Sequence, residues 1–226
     1  MSISHPAVHT REDFTDVHKN FLKHGLIQIS GHSDDTVIER FHMHYTLLQK
    51  WNATHNLTRI ITPKAVCRKH YFDSLAPLLV NEVHTLFFPG ARVFDLGSGA
   101  GLPGIPLKLL MPHIHLTMID AKEKVIAFLN KLVILLNLTE TQIRHAAVGH
   151  NHVPEEEKAD IVVARAFGQF ERFYICAGNL LKPGGMGIYY GGKNIPAKLP
   201  DTIQLYPVTV PYLHQERTLL VFKQQA

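Results

Sequence analysis

The chain of 226 residues is 46% hydrophobic and 19% charged, a composition typical of a globular protein with one sizeable core. Its formal net charge of +4 permits a nucleic-acid partner without identifying one, since many enzymes are equally basic. No run of about 18 residues is apolar, and the N-terminus has no basic segment followed by an apolar one. We therefore expect a cytoplasmic protein that does not enter a membrane.

The N-terminal part of the chain is predicted to be helical. Apolar residues recur at helical spacing after the Ser-Asp-Asp sequence at 33–35, which predicts a helix over about residues 35–51. A polar connector follows at 52–58. A second helix is expected to begin at Thr62 and Pro63, because threonine is a good N-cap residue and proline suits the first helical turn.

From Arg92 onward, strand and helix patterns alternate, which indicates a mostly parallel sheet covered on both faces. Strands are predicted at 92–96, 115–119, 141–145, 160–164, 186–190, 203–210 and 217–223, and helices at about 104–111, 122–137 and 169–181. No long helix separates the last two strands, so we expect them to pair antiparallel. The chain is thus predicted to be an α/β protein, with a helical extension at 1–89 packed on a seven-stranded core at 90–226.

A glycine-rich sequence follows the first of these strands. Residues Val93–Gly104 read as a buried strand, a turn and the start of a helix, and the next strand ends at Asp120. Glycine permits positive φ and the close approach of a ligand. The helix N-terminus points unpaired N–H groups at the same place, and a carboxylate at a strand end can accept hydrogen bonds from ribose hydroxyls. The sequence therefore predicts a site for a nucleoside-containing cofactor.

The glycine spacing leaves two classes of cofactor open. The glycines within 99–104, together with Asp120, also satisfy the dinucleotide-binding pattern of nicotinamide enzymes. However, Asp95 would lie close to a dinucleotide pyrophosphate, whereas it suits the cationic amino-acid part of S-adenosylmethionine. The Leu-Lys-Pro-Gly-Gly sequence at 181–185 precedes a late strand, as it does in many Rossmann-like methyltransferases. Both features favour S-adenosylmethionine.

Five motifs resemble those of a known family. They are Trp51-Asn52 with Asn56-Leu57-Thr58, Lys69-His70 with Asp73-Ser74-Leu75, the run Asp95–Pro106, Arg165-Ala166-Phe167, and Glu216-Arg217 with Leu219. In this order, over about residues 40–223, they closely resemble the bacterial small-subunit ribosomal RNA guanine-N7 methyltransferases, also called glucose-inhibited division protein B.

The resemblance implies a Rossmann-like class I fold that uses S-adenosylmethionine. It also implies methyl transfer to N7 of one guanine in the decoding-region loop of 16S ribosomal RNA, within the small subunit or an assembly intermediate. Guanine N7 has a free lone pair and no proton, so no residue is expected to act as a general base. Another acceptor, or a ribosome-binding factor without catalysis, remains the alternative.

The cofactor is expected to contact the glycine turn, the end of the second strand and the segment after the third. The residues concerned are Gly97, Ser98, Gly99, Gly101, Leu102, Asp120, Val148, Gly149 and Arg165. Arg165 follows an apolar strand and so lies at the carboxyl edge of the sheet, where ligands of open α/β sheets bind. The family places this arginine in the active site, and it is the expected catalytic residue. The alternatives are a structural salt bridge for Arg165 and a helix N-cap for Asp120.

The expected contacts with RNA are spread over several segments: Asn56, Lys69, His70, Asp73, Lys193 and Arg217. Lys69, His70 and Asp73 share one helical face by their spacing, and the resemblance suggests that this face lines the cleft beside the sheet. A solvated helix face preceded by an Asn-Leu-Thr cap is the alternative for these residues. Isolated surface cations are the alternative for Lys193 and Arg217.

Two segments depart from the family pattern. After the third strand the family usually has an Arg-Ala-Glu run, whereas residues 146–150 read Ala-Ala-Val-Gly-His. Backbone contact from Val148 and Gly149 to the adenine survives this change, but a side-chain carboxylate contact does not. Residues 191–193 read Gly-Gly-Lys where an apolar-Lys-Gly sequence is expected, so the choice of target could differ.

No metal site is expected. The sixteen histidines form no ligand pattern, and Cys67 and Cys176 have neither metal-ligand nor disulfide spacing. Cys176 lies in an apolar run, which indicates a reduced, buried thiol.

Overall fold

The protein is described from a computed structural model that covers residues 12–147, 155–192, 195–196 and 198–225. The α-helices are α1 (Asp16–Ser30), α2 (Asp35–His55), α3 (Pro63–Val66), α4 (Asn81–His84), α5 (Gly104–Leu110), α6 (Glu123–Leu135) and α7 (Phe170–Leu180). The strands are β1 (Arg92–Leu96), β2 (His115–Asp120), β3 (Thr141–His145), β4 (Ala159–Arg165), β5 (Leu181–Gly191), β6 (Gln204–Val208) and β7 (Arg217–Lys223). Short 3-10 helices lie at Ala76–Leu79 and Glu155–Glu157. None of these helices is long and apolar enough to cross a membrane.

Helix α1 lies in a segment for which no element is predicted from the sequence. Its buried residues include Leu22, Leu26 and Ile29, which recur at helical spacing and face the core. The helix ends at Gly31, which has a φ of +79°. At its start the Thr15 N–H donates to Nδ1 of His18, a capping contact that lacks the usual glutamate or glutamine signal.

Helix α2 begins at Asp35, as predicted, because the Asp34 carboxylate accepts the Thr36 N–H at 2.6 Å. It continues past the predicted end as far as His55 and stops at Asn56, which adopts the left-handed conformation. The polar connector is therefore shorter than expected.

The second predicted helix begins at Pro63 but is not continuous. A π-helix at Cys67–Phe72 follows α3, and a 3-10 helix follows that. The π-helix departs from the i to i−4 hydrogen-bond pattern of an α-helix, and within it the Lys69 carbonyl accepts from Nη1 of Arg165 at 2.6 Å. A contact with β4 thus accompanies the irregular turn.

The seven strands form one sheet in the order β3-β2-β1-β4-β5-β7-β6. Strands β1 to β5 pair parallel, and β7 pairs antiparallel with both β5 and β6. The predicted seven-stranded, mostly parallel sheet with an antiparallel last strand is confirmed.

Both faces of the sheet are covered. The N-terminal helices share one core cluster with β1 and β2, in which Leu22, Phe41, Val93 and Leu116 are buried. Helix α7 packs on the other face through Phe173 and its neighbours. The division of the chain at residue 89 stays a prediction.

Candidate active site

The turn between β1 and α5 has a backbone that only glycine adopts easily. Gly97, Gly99 and Gly101 have φ values of +71°, +52° and +78°. A Cβ atom at Gly101 would lie 2.6 Å from Cγ1 of Ile105, so the turn packs closely on the following helix. A Cβ atom at Gly99 would meet only the Gly97 carbonyl oxygen, at 3.8 Å. Gly99 therefore leaves open space beside the backbone, as a bound ligand requires.

Hydrogen bonds hold this turn. The Ser98 carbonyl accepts the N–H groups of Gly101 and Leu102 at 2.8 and 2.9 Å, and Oγ of Ser98 donates to the Asp95 carbonyl at 3.0 Å. Ser98 and Leu102 are 1% and 5% exposed. Ser98 thus shapes the turn from inside, and contact between Leu102 and a cofactor stays a prediction.

Asp120 lies at the end of β2 and touches the turn directly. Its Oδ2 accepts the Gly99 N–H and its Oδ1 accepts the Lys122 N–H, each at 3.0 Å. Helix α6 begins at Glu123 with Lys122 as its N-cap residue, so the N-cap alternative for Asp120 is wrong. A carboxylate oxygen accepts more than one hydrogen bond, so the Asp120 side chain retains capacity for ribose hydroxyls.

Asp95 lies beneath the turn and is fully buried. Its Oδ2 accepts the Gly104 N–H at 3.0 Å, whereas its Oδ1 has no hydrogen-bond partner among the described residues. Burial raises the pKa of this carboxyl to about 7. A buried carboxylate with an unpaired oxygen costs free energy, and a cation bound at the turn would lower this cost electrostatically. The turn thus fits a nucleoside cofactor with a cationic group.

A cavity of about 520 Å³ lies at the carboxyl ends of β4 and β5. Its lining includes Lys69, His70, Asp73, Arg165, Tyr189, Tyr190 and Arg217. Phe167 is next to the glycine turn, since its Cδ2 is 3.1 Å from where a Cβ atom of Gly97 would be, and its chain neighbours Ala166 and Gly168 line the cavity. The two parts of the site are therefore neighbours on the same edge of the sheet.

An ion cluster organises the cavity wall. Arg217 binds both carboxylate oxygens of Asp73, through Nε and Nη2, at 2.7 Å each. Nη1 of Arg165 donates to Oδ2 of the same carboxylate at 2.9 Å. The Asp73 side chain is 3% exposed and the two arginines 13% and 10%. One buried carboxylate thus orients two guanidinium groups, leaving an excess of positive charge.

His70 completes this wall in its neutral form. Burial, assisted by the Arg165 charge, lowers the pKa of His70 to about 3. Nδ1 of His70 lies 3.2 Å from Nη2 of Arg165 and 3.2 Å from the Lys69 carbonyl oxygen, and Nε2 lies 2.9 Å from Oγ1 of Thr58. Both ring nitrogens are therefore engaged.

The backbone next to Arg165 is strained. Ala166 has a φ of +56°, a conformation that costs a residue with a Cβ atom about 1–2 kcal/mol. Strain of this kind persists where the surrounding structure enforces it, often at functional sites. Here it turns the chain from the end of β4 towards Phe167 and the glycine turn.

Most of the residues that the sequence singles out come together. The glycine turn and Asp120 form one part of the site, and Lys69, His70, Asp73, Arg165 and Arg217 form the other. Asn56 is exposed, ends α2 and does not line the cavity. Val148, Gly149 and Lys193 lie outside the described residues.

The structure also tests the non-functional interpretations of these residues. His70 and Asp73 are buried, so they do not form a solvated helix face. Arg217 is not an isolated surface cation, since its guanidinium is held by Asp73 and the Gly191 carbonyl. Arg165 does form a salt bridge, and it also lines the cavity, so the structural and functional interpretations coexist.

Three residues that help to form the site are not predicted from the sequence. Thr58 supports His70, Ala166 provides the strained turn, and His44 donates to the glycine turn. Thr58 and Ala166 stand within the motifs, so their position was a usable signal. His44 gave none, because a lone histidine in an apolar helix face has no characteristic spacing. Cys67 and Cys176 are free, buried thiols, as predicted for Cys176.

The sheet order, the glycine turn after β1 and the carboxylate at the end of β2 define a Rossmann-like, S-adenosylmethionine-dependent methyltransferase of class I. A crystal structure of MtNAS in complex with MTA and tNA has a similar fold, with a TM-score of 0.52 and 18% identity. The similarity covers 80% of this chain and 70% of that one.

Comparison of sequences identifies the family. The family model GidB, described as rRNA small subunit methyltransferase G, matches residues 37–206. Ribosomal RNA small subunit methyltransferase G of Nitrosomonas eutropha is 32% identical over 89% of this chain and 95% of its own length. The protein of the same name from Aromatoleum aromaticum is 34% identical over 89% and 97%. The chain belongs to this methyltransferase family, and its cofactor is S-adenosylmethionine.

Proposed function

We propose that the chain transfers a methyl group from S-adenosylmethionine to N7 of one guanine in the decoding-region loop of 16S ribosomal RNA, within the small subunit or an assembly intermediate. Family membership supports ribosomal RNA as the substrate. The observation that carries the proposal is the positively charged cavity next to the glycine turn, at the carboxyl edge of the sheet.

The charge of the cavity suits RNA. Arg165 and Arg217 share a single carboxylate, and His70 is uncharged, so their cluster has an excess of one positive charge. The exposed Lys69 lies at the rim of the same cavity. A phosphate of the RNA would balance this excess and release counterions.

The absence of a free base among the described cavity residues suits guanine N7 as the acceptor. Both nitrogens of His70 are engaged, and Asp73 is paired with two arginines. N7 carries no proton, so the reaction needs none removed. When bound, S-adenosylmethionine supplies the electrophilic methyl group. The chain's own contribution is to align the base and exclude water, which can account for large accelerations.

Each part of the site then has a proposed role. Gly97, Ser98, Gly99, Gly101, Leu102 and Asp120 hold the cofactor, and the backbone of Val148 and Gly149 contacts its adenine. We propose Arg165 as the residue that touches both the acceptor and the cofactor side of the cavity. His70 and Asp73 orient Arg165, while Lys69, Lys193 and Arg217 interact with RNA. Contact between Asn56 and RNA stays a prediction.

The test uses small subunits from a strain that lacks the modification, incubated with the protein and S-adenosylmethionine. Borohydride and aniline then cleave RNA at N7-methylguanine. We expect one new cut in the decoding-region loop, lost in Arg165→Ala. Arg144→Ala is the matched control, because Arg144 also binds a carboxylate, that of Glu157, at 2.9 Å but does not line this cavity. It should retain the cut.

Two negative results would redirect the proposal. No cut, with binding of S-adenosylhomocysteine demonstrated by calorimetry, would indicate another acceptor. No cut and no cofactor binding, with intact binding to the subunit, would indicate a ribosome-binding factor without catalysis.

A further inference from the structure

His44 connects helix α2 to the glycine turn at Ala100, one residue after the contact of Asp120 with Gly99. Its ring is completely buried, although no motif includes it. Nε2 lies 2.9 Å from the carbonyl oxygen of Ala100, and Nδ1 lies 2.9 Å from the hydroxyl of Tyr71. The ring also meets Phe128 edge-on. A polar side chain in such surroundings is retained only when both of its nitrogens have partners.

The partners define which nitrogen carries the proton. A carbonyl oxygen can only accept, so Nε2 donates to Ala100 and, in the neutral ring, Nδ1 accepts the Tyr71 hydroxyl proton. Burial lowers the pKa of His44 to about 4, so the ring is neutral at physiological pH. The Ala100 carbonyl thereby fixes the tautomer, and the Tyr71 hydroxyl, which also lies 3.2 Å from the Phe41 carbonyl oxygen, is the partner of Nδ1.

The His44 bond helps to immobilise two peptide units of the turn. The Ala100–Gly101 unit is held at both ends, because its carbonyl accepts from His44 and its N–H donates to the Ser98 carbonyl. The Ser98–Gly99 unit is held likewise, since its N–H donates to Asp120. Between them, the Gly99–Ala100 unit makes no hydrogen bond within the part of the chain that the structure describes. This one unit is left to face a ligand.

The same relay reaches the cavity. Tyr71 is next to His70 in the π-helix, and the Lys69 carbonyl, His70 and Asp73 all bind Arg165. His44 therefore contacts the cofactor turn directly and, through Tyr71, the segment that orients Arg165. His44 thus connects the glycine turn to the cavity that contains Arg165.

We propose that His44 is a positioning residue that holds the Gly99–Ala100 peptide towards the cofactor and in register with the Arg165 cavity. The inference rests on the proposed assignment of the glycine turn as the cofactor site. The competing explanation is that His44 only fills the core between α2, the π-helix and α6.

Two amide variants separate these explanations. In His44→Gln the amide nitrogen reaches the place of Nε2 and can still donate to Ala100. In His44→Asn the shorter amide reaches only the place of Nδ1, which faces Tyr71. Calorimetry with S-adenosylhomocysteine should give a Kd within about threefold of the parent for glutamine and about tenfold weaker for asparagine, the effect of one lost hydrogen bond.

Controls keep the result interpretable. His42→Asn is matched in helix and chemistry, since His42 stacks on Phe14 away from the turn, and should leave Kd unchanged. If His44→Asn does not fold, Tyr71→Phe removes the hydroxyl that binds Nδ1 of His44 and lies near the Phe41 carbonyl, and we expect it to raise Kd measurably. Thermal melting reports stability separately.

The outcomes are distinct. Equal Kd values for the two His44 variants, or a lowered melting temperature with unchanged Kd in Tyr71→Phe, would overturn the positioning role and leave a core residue. If the parent protein itself bound no S-adenosylhomocysteine, the assignment of the turn would fail and this inference with it. Normal binding by the parent and equal binding by all variants would overturn the inference alone.

Discussion

The glycine turn and the cavity meet at one edge of the sheet, yet they are stabilised differently. The turn takes its shape from glycine dihedrals and backbone hydrogen bonds among neighbouring residues, with Asp120 and His44 as supports. The cavity depends on a buried ion cluster in which Asp73 and Arg217 are 144 positions apart. The turn should therefore be sensitive to any added Cβ atom, and the cavity to any lost charge.

The largest effect is expected from Asp73→Asn, which leaves two guanidinium groups without a charged partner. Removing one member of a buried ion cluster lowers the free energy of unfolding by about 3–5 kcal/mol. Methyl transfer should be lost as well, because Arg165 loses its orientation. Urea denaturation and the cleavage assay measure these two effects.

The control for this variant is Asp35→Asn. Asp35 also pairs with a cation, Lys23, at 2.6 Å, but its side chain is 85% exposed. We expect no measurable change in stability, since exposed pairs contribute little. Similar losses in both variants would mean that burial does not distinguish the cavity cluster.

The two regions should respond oppositely to pH. His70, in the cavity, has a pKa lowered to about 3, so its contribution to stability is present above pH 6.5 and is lost as the pH falls. Asp95, under the turn, has a pKa raised to about 7, so its contribution is present below pH 3.8 and is lost as the pH rises.

Asp95→Asn removes only the second of these contributions. Between pH 5 and 6 the unfolding free energy of the variant should rise with pH more steeply than that of the parent, by about 1.4 kcal/mol per pH unit. Urea denaturation at several pH values measures the slope. Parallel slopes for the two proteins would contradict a protonated Asp95 in this range.

A smaller loss of stability is expected from Gly99→Ala, about 1–2 kcal/mol, because alanine is strained at positive φ. Gly31→Ala is the matched control, since Gly31 also has positive φ and open space around it, but it ends α1 far from β1 in the chain. Both variants should lose similar stability, measured by denaturation.

Only Gly99→Ala should also weaken binding of S-adenosylhomocysteine, by tenfold or more, because the methyl group enters the space beside the turn. Unchanged binding in Gly99→Ala would show that the cofactor does not approach the backbone there.

The smallest effect on stability is expected from Lys69→Ala, because the side chain is exposed. The variant should nevertheless bind the RNA more weakly. The slope of log affinity against log salt should decrease in magnitude by about one, the value for one phosphate contact. Filter binding at several salt concentrations measures this. Lys223→Ala, at the opposite edge of the sheet, should leave the slope unchanged.

Prediction from sequence succeeded where the signal is local. The first three strands are predicted to within one residue; β1 and β2 are short apolar runs between turn residues, which are characteristic of buried parallel strands. It failed for α1, whose N-terminal capping contact uses His18 in place of the usual glutamate or glutamine. It also failed for the continuity of the helix after Pro63, where the contact between the Lys69 carbonyl and Arg165 accompanies a π turn.

The sequence by itself determined the glycine turn, the Asp120 position and the order of strands and helices, because these follow from neighbouring residues and short-range sterics. Only the tertiary structure decided that Asp73 is shared by Arg165 and Arg217, that His70 is neutral, and that His44 supports the turn. These features depend on burial and on partners from distant segments. Neither is encoded in any local pattern of residues.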